Sequence, residues 1–191
     1  MALELCLRST IVLLLLAASL IGGCDRQSGQ PQQAEGANVA APVPAVPDKL
    51  DRSHKGEAAP TFAFMDAEGA KRTLADFRGK PLLLNLWATW CAPCVKEMPT
   101  LDALAVRESD KLQVVTVSQD FEPAKVAPFF AEKKFRKLQP YIDSETAFST
   151  QMGLNLPATI LYDSQGREVW RMLGDTDWAG EAAAKLIAEA R

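Results

Sequence analysis

The stretch "PLLLNLWATWCAPCVKEMP" (residues 81–99) constrains the fold of this chain more than any other. It opens with a continuous apolar run over 81–88, the pattern of a β-strand buried on both faces. Two cysteines, Cys91 and Cys94, then occupy a turn, with Pro93 between them. Proline suits a helix start, because the N–H it lacks has no partner in the first turn. A helix is therefore predicted over 93–107, with Met98, Leu101, Leu104 and Ala105 along one side. Such a strand–turn–helix places Cys91 at a helix N-terminus, where free N–H groups and the helix dipole stabilise a thiolate.

Which chemistry these thiols can do depends on their compartment. Residues 1–23 carry an apolar run from Ile11 to Ile21 followed by two glycines. The run is shorter than the ~20 residues needed to span a bilayer but suits the core of a secretory signal. It ends in "LIGGC", which resembles the lipobox of bacterial lipoproteins. That resemblance implies cleavage before Cys24 and lipidation of its thiol; an ordinary signal peptide would leave Cys24 as a spare cysteine. Stable anchoring takes more than one acyl chain, each buried CH₂ contributing about 0.8 kcal/mol. Asp25 resembles the retention signal that keeps enterobacterial lipoproteins on the inner membrane.

Residues 24–59 are rich in Gln, Ala, Pro and Gly, without an aromatic residue or an apolar period. Such a segment buries too little apolar surface to offset its ordering entropy, so 24–59 is predicted to be a lipid-anchored flexible tether. His54, the only histidine, falls there and reads as a solvated linker residue. Residues 60–191 are predicted to form one domain. It starts with a hairpin turning at Glu68-Gly69 and continues through a buried strand over 111–118. A helix over 122–135 follows, kinked or shortened by Pro128. A short strand near Tyr141, a helical turn near 147–152, and strands over 159–163 and 168–172 come next, the last two joined by "DSQG". A closing helix over 177–190 is predicted to turn Trp178, Ala182, Leu186 and Ile187 inward. Strands alternating with helices and ending in a hairpin make the fold class α/β, a central mixed β-sheet flanked by helices.

Of the four cysteines, Cys6 leaves with the signal and Cys24 with the lipid reading, so Cys91 and Cys94 remain. A structural zinc site needs four ligands, which residues 60–191 lack, having no histidine and no other cysteine. A structural staple is a poor reading, since so short a loop removes little unfolded-state entropy. Redox exchange remains. Cys91 is the expected nucleophile on a substrate disulfide, and Cys94, one turn into the helix and more buried, the resolving thiol.

"WCAPC" on a strand–turn–helix resembles the active site of the thioredoxin superfamily. The longer run "LLNLWATWCAPCVKEMP", with "VVTVSQD" and "LPATILYDSQGREVWR", resembles its membrane-tethered periplasmic branch, the TlpA/ResA-like thiol–disulfide oxidoreductases. The resemblance implies a thioredoxin-like fold with an N-terminal β-hairpin and an inserted helix. It implies that Pro157 is a cis-proline opposite the cysteines, that Trp90 is the aromatic residue packed beside them, and that Pro99 kinks the active-site helix. Leu156 is less typical than threonine or valine before that proline. Where thioredoxin has a buried aspartate six residues before its first cysteine, this chain has Asn85, which cannot accept a proton. Glu97, three residues after Cys94, takes a position where the branch carries a glutamate implicated in activity; a solvated helix carboxylate is the plainer alternative. Buried beside the cysteines, it would have a raised pKa and accept a proton from Cys94.

The net charge of −3 gives no basic face for nucleic acid. The expected activity is disulfide reduction on the periplasmic side of the bacterial inner membrane, without a separate cofactor. The expected partners are disulfide-containing protein clients, such as apocytochromes c or copper-delivery proteins, and a membrane electron donor that re-reduces the pair. Two alternatives stay open: an oxidase that installs disulfides with the same residues, and a copper(I) carrier using the two thiolates.

Overall fold

The structure, a computed structural model, describes residues 49–190. The signal segment, Cys24 and the first part of the tether lie outside the described residues.

Eight strands form one mixed sheet. They are β1 (Leu50–Asp51), β2 (Phe64–Met65), β3 (Lys71–Arg72), β4 (Leu82–Trp87), β5 (Gln113–Ser118), β6 (Tyr141–Ile142), β7 (Ala158–Tyr162) and β8 (Glu168–Leu173). Their order across the sheet is β1-β8-β7-β4-β5-β6-β2-β3. β4 runs parallel to β5 and antiparallel to β7, so it lies at the centre, and every one of its residues is buried. Among the described residues four α-helices flank the sheet: α1 (Ala92–Arg107), α2 (Val126–Lys133), α3 (Ala147–Gln151) and α4 (Glu181–Ile187). The arrangement is the predicted α/β, thioredoxin-like one, with the leading hairpin as β2–β3 and the inserted helix as α2.

Side chains alternate across a strand, so β4 feeds two cores. Leu83 and Trp87 pack with Met98, Leu101 and Leu104 of α1 and with Trp170, Trp178 and Ile187. Leu82, Leu84 and Leu86 face the other way, onto Phe64, Val115, Val117, Phe148 and Ile160. Asn85 shares the parity of Leu83 and Trp87, which turns a buried amide towards α1. The hairpin turns are built as their residues require: Gly69 (φ 80°) and Gly166 (φ 78°) adopt left-handed backbone that favours glycine. In the second turn Asp163 accepts the N–H groups of Gln165 and Arg167 at 2.8 and 2.9 Å.

Three expectations are corrected. The stretch read as tether up to residue 59 enters the sheet earlier: Leu50 pairs with Met172, Asp51 with Arg171, and Ala58 bridges Arg167. A two-residue edge strand is held by backbone hydrogen bonds and one packed side chain, Leu50, and so leaves no apolar period to read. The segment 122–135 is a 3-10 turn at Pro123–Lys125 and then α2, so the helix is shorter than 122–135, one of the two outcomes expected, and it starts later. Pro128 is the third residue of α2, where its absent N–H would have had no helical acceptor. The closing helix starts at Glu181 rather than 177, and Ala183, not Ala182, turns inward. Trp178 is fully buried but stands ahead of the helix, fixed there by a hydrogen bond from its backbone N–H to Thr100 Oγ1.

Candidate active site

Cys91 is the N-cap of α1, and the helix starts at Ala92 with Pro93 second. No acidic residue occupies the first turn, so no neighbouring carboxylate there competes with a Cys91 thiolate for the positive end of the helix dipole. The turn is held by Cys91 N–H on the Ala88 carbonyl at 3.1 Å, and the first helical bond runs from Val95 N–H to the Cys91 carbonyl at 3.0 Å. Cys91 and Cys94 are joined in a disulfide with Cα atoms 5.3 Å apart. Cys94 is fully enclosed, whereas Cys91 keeps 6% of its surface exposed, the asymmetry expected of an attacking and a resolving sulfur. Pro99 lies inside α1 and cannot donate to the Val95 carbonyl.

The Leu156–Pro157 peptide bond is cis. The register Leu86↔Ala158 brings Pro157 level with the Trp87 end of β4, directly ahead of β7, the strand beside the one leading into the disulfide. The Pro157 carbonyl accepts the Gly174 N–H at 2.7 Å. Trp90, directly before Cys91, is 59% exposed and lies parallel to Phe121, ring centroids 6.3 Å apart.

Glu97 is not a solvated helix carboxylate: 2% of it is exposed. Its Oε1 accepts Asn85 Nδ2–H at 2.7 Å, and its Oε2 accepts the Thr176 N–H and the Trp178 Nε1–H, each at 3.1 Å. Burial pushes its pKa up from 4.5 to about 7; the donors from Asn85, Trp178 and Thr176 pull it back in part, and the charge of Asp175 adds to the rise. Loss of bulk water outweighs three hydrogen bonds, and the acid is left poised at neutral pH. The Asn85 amide also donates to Thr159 Oγ1 at 3.0 Å, its neighbour across the β4–β7 register, while its own Oδ1 accepts nothing.

The structure thus brings together Trp90, Cys91, Cys94, Glu97 and Pro157 at one end of the sheet. His54 stands apart, bonded to Glu57 at 3.0 Å. Sequence reasoning singled out Asn85 but missed Thr159, Thr176 and Trp178 as partners of this cluster. Asn85 and Thr159 carry one legible signal, a polar residue interrupting a buried apolar strand. Thr176 and Trp178 carry none, because they reach Glu97 from 79 and 81 residues away.

A thioredoxin-like sheet that presents a helix-capping cysteine pair beside a cis-proline defines a thiol–disulfide exchange domain. The model of the Redoxin family matches residues 54–186. Thiol-disulfide oxidoreductase ResA of Bacillus thuringiensis subsp. konkukian is 32% identical over 129 residues, which are 66% of this chain and 74% of that one. Among solved structures, a protein described as thiol:disulfide interchange protein DsbE from Chlorobium tepidum superposes with a TM-score of 0.64 at 25% identity, covering 72% of this chain and 98% of that one. A thiol-disulfide oxidoreductase from Bacteroides vulgatus superposes with a TM-score of 0.63 at 28% identity, covering 72% and 96%. The chain belongs to the Redoxin family. Within it, this is an enzyme, a thiol–disulfide oxidoreductase of the ResA and thioredoxin type.

Proposed function

We propose that this enzyme works as a disulfide reductase on the periplasmic side of the bacterial inner membrane, held there by lipid on Cys24. In this reading 1–23 is a cleaved signal, the residues from Cys24 up to the start of β1 are the tether, and the rest is the catalytic domain. Reduced Cys91 attacks a sulfur of a client disulfide, forming a mixed disulfide and releasing one client thiolate. Cys94 passes its proton to Glu97 and attacks the Cys91 sulfur. The second client thiolate leaves, two electrons have gone to the client, and Cys91–Cys94 ends as the disulfide described above. Pro157 and Trp90 border the client chain. A membrane donor then re-reduces the pair, because an oxidising compartment supplies no reductant of its own. Disulfides of apocytochromes c and oxidised cysteines of copper-delivery proteins are the client classes the family likeness suggests.

The observation that carries the reductive direction is the acid at Glu97. The titratable group buried one helical turn from Cys94 is a carboxylate, not a cation, so its ionised form disfavours a Cys94 thiolate until it takes up the proton itself. Strong oxidants of this fold owe their potential to a stabilised reduced state. The test is the equilibrium reduction potential of Cys91–Cys94 in the full mature chain. A value near or below about −270 mV supports the reductase, whereas one near about −120 mV reverses the arrow to disulfide formation. Mass spectrometry of the mature N-terminus tests the anchor: an unmodified start, or one away from Cys24, removes it.

A further inference from the structure

Among the described residues the exposed large hydrophobic side chains are Trp90 (59%), Phe121 (77%) and Leu173 (37%). All three border the disulfide end of the sheet. Trp90 follows β4, Phe121 follows β5, and Leu173 ends β8 opposite Ala158, the residue after Pro157. Exposed apolar side chains gathered at one end of a sheet are candidates for an interaction site.

The Trp90–Phe121 pair is built, not incidental. The rings lie within 4° of parallel. The residue before each aromatic is tied to the other: the buried Asp120 carboxylate accepts the Thr89 N–H at 2.9 Å and the Thr89 hydroxyl at 2.5 Å. Asp120 is itself fixed by the Ser118 hydroxyl at 2.6 Å, and Gln119 N–H extends the β4–β5 pairing onto the Trp87 carbonyl at 2.7 Å. A buried carboxylate therefore locks the loop after β5 to the active-site turn and holds two rings side by side in solvent. Two pairs of charged groups on the flanking segments are engaged with each other, Lys125 with Glu122 at 2.7 Å and Lys96 with Asp175 at 3.4 Å.

From this geometry, and resting on the reading that Cys91 engages the client, we infer that Phe121 is a specificity-determining residue. With Trp90 it forms an aromatic ledge for an aromatic side chain of an extended client segment, two positions from the client cysteine. The ledge is continuous with the exchange site, which identifies its occupant as the client chain itself. Phe121 follows β5, the strand beside β4 at a spacing of about 4.8 Å, and its ring lies 6.3 Å from that of Trp90, the residue before Cys91. In an extended client, alternate side chains point the same way and recur about every 7 Å. A client cysteine turned down onto Cys91 therefore turns the residue two positions away down onto the rings.

The test uses the reduced mature chain with Cys94→Ser, which stops at the mixed disulfide. Capture of the symmetric disulfides of Phe-Gly-Cys-Gly-Phe and Ala-Gly-Cys-Gly-Ala is timed by mass spectrometry, with glutathione disulfide as reference. The aromatic peptide is expected to be captured roughly two- to tenfold faster relative to the reference, the range of one aromatic contact. Phe121→Ala should bring that ratio close to one, and Phe121→Tyr should restore it. Capture on Cys91 at equal rates, or a preference that survives Phe121→Ala, would overturn the ledge and leave Cys91 as the nucleophile. Capture only on Cys94, in a Cys91→Ser chain, would overturn the Cys91 reading and the ledge with it.

Discussion

Replacing Glu97 by glutamine removes a buried charge without removing its shape, and the consequence can be worked out as a dependence of stability on pH. In the folded oxidised protein burial lifts the carboxyl from 4.5 to about 7. Between those two values the folded state holds a proton that the unfolded chain has released, so stability falls as pH rises through that window. Below about pH 4.5 both states are protonated and the group costs nothing; above about pH 7 the full penalty of the buried charge is present. At about 1.4 kcal/mol for each tenfold in proton affinity, the penalty amounts to about 3 kcal/mol. Glutamine does not titrate. Its amide oxygen can serve the Thr176 and Trp178 donors, and a flip of the Asn85 amide, which now faces residue 97 with Nδ2–H, turns the otherwise unpartnered Oδ1 to accept from the glutamine NH₂. The expected result of Glu97→Gln is a difference in unfolding free energy from the parent protein that moves by about 3 kcal/mol in favour of the variant between pH 4 and pH 8. Urea unfolding of the two oxidised proteins at several pH values measures it, and every other titration cancels in the comparison. A difference constant to within about 1 kcal/mol over that range would refute the argument that desolvation dominates at Glu97.

Two further outcomes follow from the same contacts. Trp178→Phe keeps an aromatic ring against Trp170 but removes the indole N–H that favours the Glu97 anion, so the pKa should rise further above about 7; an NMR titration of the Glu97 carboxyl that shows no upward move would rule the indole out as a positioning group. Asp102→Ala takes the acceptor from the N–H groups of Arg136, Lys137 and Leu138, which it meets at 2.8–3.2 Å, and should lower stability by about 2–4 kcal/mol in urea unfolding; a loss below about 1 kcal/mol would show that water replaces the carboxylate there.

The parts of the molecule that were legible in advance are those whose causes lie close together along the chain. The apolar run, the turn with its two cysteines and Pro93 determine β4, the site loop and α1 within 27 residues, because burial pattern and helix-start chemistry act locally. The DSQG hairpin and the turn at Gly69 are legible for the same reason. The edge strand at Leu50–Asp51 was not, because two residues held by a neighbour's backbone show no pattern of their own.

The composition of the site divides in the same way. Sequence alone places Cys91 at the start of a helix and Cys94 one turn inside it, and from that the exchange chemistry follows. It left Glu97 undecided between a solvated surface acid and a buried one. Only the tertiary structure decides that question, by closing β4 and the Thr176–Trp178 loop over the carboxylate. The physical reason is that a pKa is set by the water excluded and the donors aimed through space, and here those donors come from 12 to 81 residues away.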